Sequence, residues 1–122
     1  MNGFHNNQLN IPLTNEFFQI YKIIYQYLKH FPKKERYTLG EKIETLFLET
    51  IQEIFYLNQL PDPLKEKSLL KLNAKNETLK LLIRLAHEIK VLDIKQYLNI
   101  QEKLQKTGKM IGGWIKYLKS KR

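Results

Sequence analysis

The sequence contains no cysteine. Disulfide frameworks and thiolate metal sites are therefore excluded, and the composition suits a reducing compartment, with the cytoplasm as the expected location. Only three histidines occur, His5, His30 and His87, and none stands at metal-ligand spacing from another histidine or a carboxylate. There is no phosphate-cradling glycine loop and no serine nucleophile motif. Glu49 and Glu53 share a helix face, but solvated charges account for them. No catalytic residue, metal or cofactor is expected, and the chain does not read as an enzyme. No apolar run approaches the roughly 20 residues of a membrane span, so no membrane partner is expected. The opening MNGFHNNQLNIPLT lacks the basic start and apolar stretch of a signal peptide.

Proline and glycine are scarce too, at four and five in 122 residues. No segment alternates strictly as a half-buried strand would, and four amphipathic helical segments are visible instead. The first begins after Thr14 or Asn15, carries the stripe Phe17, Tyr21, Ile24, Leu28 and Phe31, and ends at Pro32. The second begins at Thr38, where Glu41 completes a capping box. The third follows Pro61-Asp62-Pro63, with Asp62 as cap and Pro63 in the first helical position. Its seam of Leu69, Leu72, Asn76, Leu79, Ile83 and Ala86 has one polar member, Asn76, which either fixes register or marks a break near Asn73–Asn76. The fourth starts at Asp93, boxed with Gln96, and its seam runs Tyr97, Ile100, Leu104, Thr107, Ile111, Trp114, Leu118. Short connections make this an all-α chain, an up-down-up-down antiparallel four-helix bundle. The expected organisation is an N-terminal extension over 1–13, the bundle over 14–119 and a basic end over 120–122.

The third segment shows more apolar arc than one core requires. Leu81 and Leu85 lie one turn apart, rotated away from the seam. A buried position within the bundle explains them, and so does a subunit interface, which is the favoured reading. Gly108 and Gly112 are spaced to share a helix face, and they form a flat strip where another backbone could approach. Trp114 sits in the seam as core, shared with a neighbouring subunit in the oligomeric reading. Each helical glycine costs roughly 1 kcal/mol relative to alanine, so a packing role is expected.

Acidic residues are in short supply, 12 against 21 basic ones, for a net charge of +9. From Ile100 onward the positives are Lys103, Lys106, Lys109, Lys116, Lys119, Lys121 and Arg122, opposed only by Glu102, which concentrates a net +6 there. Lys80 and Arg84 lie one turn apart on the third segment, with His87 on the same face, and Lys33, Lys34 and Arg36 add charge in the first connection. Such a distribution is the footprint of phosphate binding, to RNA or DNA, with little sequence reading; the charge alone also suits an acidic protein partner or a membrane surface, and nucleic acid is the reading adopted. No aromatic platform is interleaved with these cations, so base stacking is not expected.

Arg36-Tyr37-Thr38-Leu39-Gly40, the stretch LLIRLAHEI from Leu81, Tyr97, and the block Gly108-Lys109-Met110-Ile111-Gly112-Gly113-Trp114-Ile115 resemble the Avd proteins. These are the accessory variability determinants of diversity-generating retroelements. The same residues resemble the related four-helix proteins encoded in ribosomal-RNA intervening sequences. The resemblance covers nearly all of the chain after Pro12, and the glycine–tryptophan block is its most specific part. It implies a protomer that assembles into a pentameric barrel and binds nucleic acid. It also implies a reverse transcriptase partner for mutagenic cDNA synthesis. Lys109 stands where the family usually has arginine, which keeps the charge but loses bidentate geometry. Lys106-Thr107 stand where a glutamate often precedes the glycine, which makes this tail more basic. The alternatives are an intervening-sequence-type protein without a polymerase partner, or a purely structural helical oligomer.

Overall fold

The structure, a computed structural model, describes the backbone from Asn2 and the side chains from Pro12. Helix α1 spans Asn2–Leu28 and includes Pro12. Neither Thr14 nor Asn15 starts it, contrary to the sequence expectation. A capping residue permits a helix start without imposing one, and here the apolar stripe continues back to Leu13, which is buried. The separate extension expected over 1–13 falls mostly on side chains outside the described residues.

The chain turns at Pro32 and makes one short helical turn, Lys33–Glu35. A single π-helical turn follows, Arg36–Gly40, and leads into helix α2, Glu41–Leu57. The box expected at Thr38 does not form. The residues before Thr38 are already helical, so its hydroxyl donates back to Lys34 O at 2.9 Å instead of capping forward. Gly40 is buried where α1 ends. A Cβ there would lie 3.1 Å from Leu28 Cδ2, 3.2 Å from Glu35 O and 3.3 Å from Phe31 Cδ2. Its backbone is ordinary right-handed helix, so glycine is required by space rather than by φ.

Helix α3, Asp62–Glu88, is continuous through Asn73 and Asn76. Pro61 takes the cap position, and the Asp62 side chain makes no cap bond. Its carboxylate accepts from Lys65 Nζ at 3.2 Å and Lys121 Nζ at 2.6 Å. Asp62 stands one residue inside the cap, and Leu64 N already donates to Pro61 O at 2.9 Å, so its carboxylate is left to the two cations. The helix ends in a Schellman motif. Val91 N donates to Ala86 O, Lys90 N donates to His87 O, and Lys90 takes the left-handed conformation at φ 69°.

Helix α4, Ile94–Ser120, opens with the expected box: Gln96 N donates to Asp93 Oδ1 at 2.8 Å, and Asp93 N donates to Gln96 Oε1 at 2.9 Å. Its seam is buried from Ile100 through Leu118, so the glycines do not interrupt it. Burying each large apolar side chain contributes about 1.5–3 kcal/mol. Asn76 sets the register of α3 on α4. It donates to Leu104 O at 3.0 Å and accepts from Thr107 Oγ1 at 2.7 Å.

Each helix packs on its neighbours in the chain, and α1 closes the ring against α4. Tyr27 near the end of α1 meets Asn99 near the start of α4, and Lys121 at the end of α4 meets Asp62 at the start of α3. The four helices therefore form the antiparallel bundle expected. The α1–α2 and α3–α4 connections share one end of it, and the α2–α3 connection shares the other with the C-terminal residues.

Candidate nucleic-acid interface

The bundle divides the expected cations. Lys33, Lys34 and Arg36 lie on the α1–α2 connection, at the end where α4 begins. Lys121 and Arg122 lie at the opposite end. α4 has 27 residues, about 40 Å at 1.5 Å per residue, so these groups cannot share one contact. Between them run Lys103, Lys106, Lys109, Lys116 and Lys119, all on α4.

Ion pairing divides them further. Lys80 pairs with Glu77 at 3.4 Å and Arg84 with Glu88 at 2.8 Å. Lys106 reaches across to Glu16 on α1 at 2.8 Å. Lys121 binds Asp62 at 2.6 Å and also lies over the Tyr117 ring, and Arg122 binds Glu66 at 2.7 Å. The hydrogen bond from Lys121 chiefly holds the Asp62 carboxyl below its ordinary range, against a smaller effect of burial, and Asp62 in turn raises Lys121. The bond to Glu88 raises Arg84. Among the described residues, Lys33, Lys34, Arg36, Lys103, Lys109, Lys116 and Lys119 form no ion pair. Lys109, Lys116 and Lys119 are exposed, and Lys103 is half-buried. Lys106 and Lys109 also border a shallow recess with Leu98, Gln101, Glu102 and Gln105.

His87 does not join the cationic face. Its ring stacks on Tyr97 at 4.6 Å, and its Nδ1 donates to Leu92 O at 3.1 Å, which ties the α3–α4 corner together. Gly108 allows a close approach inside the protomer, because a Cβ there would stand 3.2 Å from Asn76 Nδ2. Gly112 and Gly113 are exposed, with open space where a Cβ would be. Trp114 is buried in its own bundle, and its Nε1 finds no acceptor among the described residues. Leu81 and Leu85 are 62% and 44% exposed.

One row of cations was missed. Lys67, Lys71 and Lys75 recur every four residues on the α2 side of α3, a spacing visible in the sequence. Lys75 is pinned to Glu53 at 3.1 Å. Burial pushes Glu53 up, but hydrogen bonds from Ser68 and Lys75 outweigh it and hold the carboxyl below its ordinary range. Among the described residues no cluster of histidine and carboxylate groups could hold a metal ion, and no helix is long and apolar enough to cross a membrane.

The site thus sits on an all-helical antiparallel bundle whose last helix carries Lys103, Lys109, Lys116 and Lys119 without an ion pair among the described residues. A family model described as bAvd-like matches residues 13–118, and the chain belongs to that family, one of accessory proteins of diversity-generating retroelements. The chain matches no curated protein.

Proposed function

We propose that this protein is a cytoplasmic, non-catalytic accessory factor that binds nucleic acid through α4 and associates with a reverse transcriptase. The observation that carries the reading is the set of unpaired, exposed lysines Lys109, Lys116 and Lys119 along one helix. Cations already held by carboxylates must give up a partner before they take a phosphate, whereas these three need not. Lys103 joins them from the α1 side. The ligand is RNA or DNA, the template RNA or its cDNA copy, held by its phosphates.

The protein acts in this reading as a homo-oligomer, a pentamer by family likeness. Exposed Leu81 and Leu85 and the open space over Gly112 support contacts between copies. Light scattering should report a mass well above the protomer's 14.7 kDa, and Leu81→Glu with Leu85→Glu should reduce it. A stable wild-type monomer would sink this part.

Binding should weaken steeply with salt. Replacing Lys109, Lys116 and Lys119 by alanine should lower the log–log salt slope by about 2–3, at 0.7–0.9 per phosphate contact. Absence of binding at low salt refutes the reading. A pull-down with the reverse transcriptase encoded beside this gene tests the second partner. Nucleic-acid binding without polymerase capture would favour the stand-alone, intervening-sequence-type alternative.

A further inference from the structure

The stretch YQYLKHFPKKERYTLG closes the first corner of the bundle, and the lysines of α4 leave it without a role. There the end of α1, the π-helical turn and the start of α2 enclose a recess of about 180 Å³, lined by Tyr25, Leu28, Lys29, Arg36, Gly40 and Glu44. It is smaller than the roughly 300 Å³ at which pockets for drug-sized ligands begin, so it suits one ring or one phosphate. Its floor is Leu28 against Gly40. The tight packing of Gly40 fixes where the turn, and with it Arg36, stands relative to α1.

The polar groups around this floor are unusual for the molecule. Arg36 Nη2 donates to Lys29 O at 3.1 Å, which orients the guanidinium while leaving most of its five N–H donors unused. Lys29 Nζ rests 5.0 Å from the centre of the Tyr25 ring. Among the described residues neither cation has a carboxylate partner. The recess also holds one acid, Glu44, which accepts from the Tyr21 hydroxyl at 2.9 Å and keeps its charge, so two cations face one carboxylate there. Tyr25 is 46% exposed, and its ring is braced by Tyr21, centroids 6.3 Å apart. An oriented guanidinium, an ammonium without a carboxylate partner among the described residues and an accessible ring therefore meet at one point. The sequence did not display this, because Tyr25 and Arg36 are 11 positions apart and on different elements.

We infer that this corner is a single-strand nucleotide site: one unpaired base stacks on Tyr25 while an adjoining phosphate is held between Lys29 and Arg36. Lys29 leaves the ring for the phosphate, which uncovers the face that the base then takes. A duplex cannot offer this, since its bases are already stacked and paired. The site rests on the nucleic-acid reading above and adds base stacking to it, at the opposite end of the bundle from Lys121 and Arg122. Stacking on an aromatic side chain tolerates any base, so the site selects strandedness rather than sequence.

The test uses the full chain, a short single-stranded oligonucleotide containing 2-aminopurine, and a blunt duplex of equal length. Wild type should quench the 2-aminopurine fluorescence. Tyr25→Ala should abolish the quenching and weaken single-strand binding by about tenfold, with duplex affinity unchanged. Tyr25→Phe should behave as wild type, and helical circular dichroism checks that each variant is folded. If folded Tyr25→Ala quenches like wild type, or loses single-strand and duplex affinity equally, the stacking site is overturned while binding by α4 stands. If wild type binds neither probe at low salt, both readings fall.

Discussion

Gly112→Ala and Gly113→Ala separate what the glycines do within a protomer from what they do between protomers. Both lie inside α4, neither has positive φ, and a Cβ at either would meet nothing within 4 Å. In an isolated protomer the only change is helix propensity, so each substitution should stabilise by about 0.5–1 kcal/mol. For a domain of this size that raises the melting temperature by about 2–6 °C. Gly108→Ala is the internal control. Its Cβ would press on Asn76 Nδ2 at 3.2 Å and disturb the bond to Leu104 O, and a compromised buried hydrogen bond costs about 1–3 kcal/mol. The propensity gain does not cover that loss, so a net destabilisation of about 1 kcal/mol is expected. Urea unfolding at low protein concentration measures the three differences, and light scattering on the same samples measures mass. If Gly112 makes room for a second copy, Gly112→Ala should raise protomer stability and lower the assembled mass. Raised stability with unchanged mass refutes the close-packing role. Lowered stability at every concentration refutes the claim that the space is open.

Lys90→Gly should stabilise the protein by about 1 kcal/mol, because a side chain at φ 69° is penalised and glycine is not; a drop in the urea midpoint would contradict the motif assigned to this turn. Gly40→Ala should destabilise by about 1–3 kcal/mol, since neighbours on three sides, one of them backbone, cannot all yield; thermal denaturation checks it, and a neutral result would show that the corner is looser than described. Asp62 has a carboxyl held below its ordinary range, so its contribution is present at neutral pH and lost as pH falls from that ordinary value through the lower folded one. Acid titration of the unfolding midpoint should therefore show a drop in that window, flattened in Asp62→Asn; identical profiles would remove the clamp with Lys121.

The capping boxes show where sequence reading succeeds and why. Asp93 and Gln96 satisfy one another within four residues, and a turn with its own extended cap residue precedes them, so local chemistry decides. Thr38 and Glu41 have the same spacing, but the chain ahead of Thr38 is already helical and its hydroxyl finds Lys34 O behind it. A box is legible only if the backbone before it is known not to be helix, and Pro32 placed that break six residues too early for Thr38 to serve. The seam of α4 was legible because burial follows a period that three glycines do not shift.

The cations obey a similar rule of range. Lys80–Glu77 and Arg84–Glu88 lie three and four residues apart on one helix and could have been discounted from the sequence. Lys106–Glu16 and Lys121–Asp62 are 90 and 59 positions apart, and only the closed ring of helices brings them together. The local net charge of the tail therefore overstates what it offers to a polyanion. Two of its seven cations are neutralised at the far end and a third by α1. What remains is a row of lysines on α4 narrower than the sequence suggests. The cations beside Tyr25 stand at the opposite end of the bundle from Lys121 and Arg122, and Lys67 and Lys71 lie exposed on the α2 side of α3, so among the described residues unpaired charge is spread over separate places rather than gathered on one basic face.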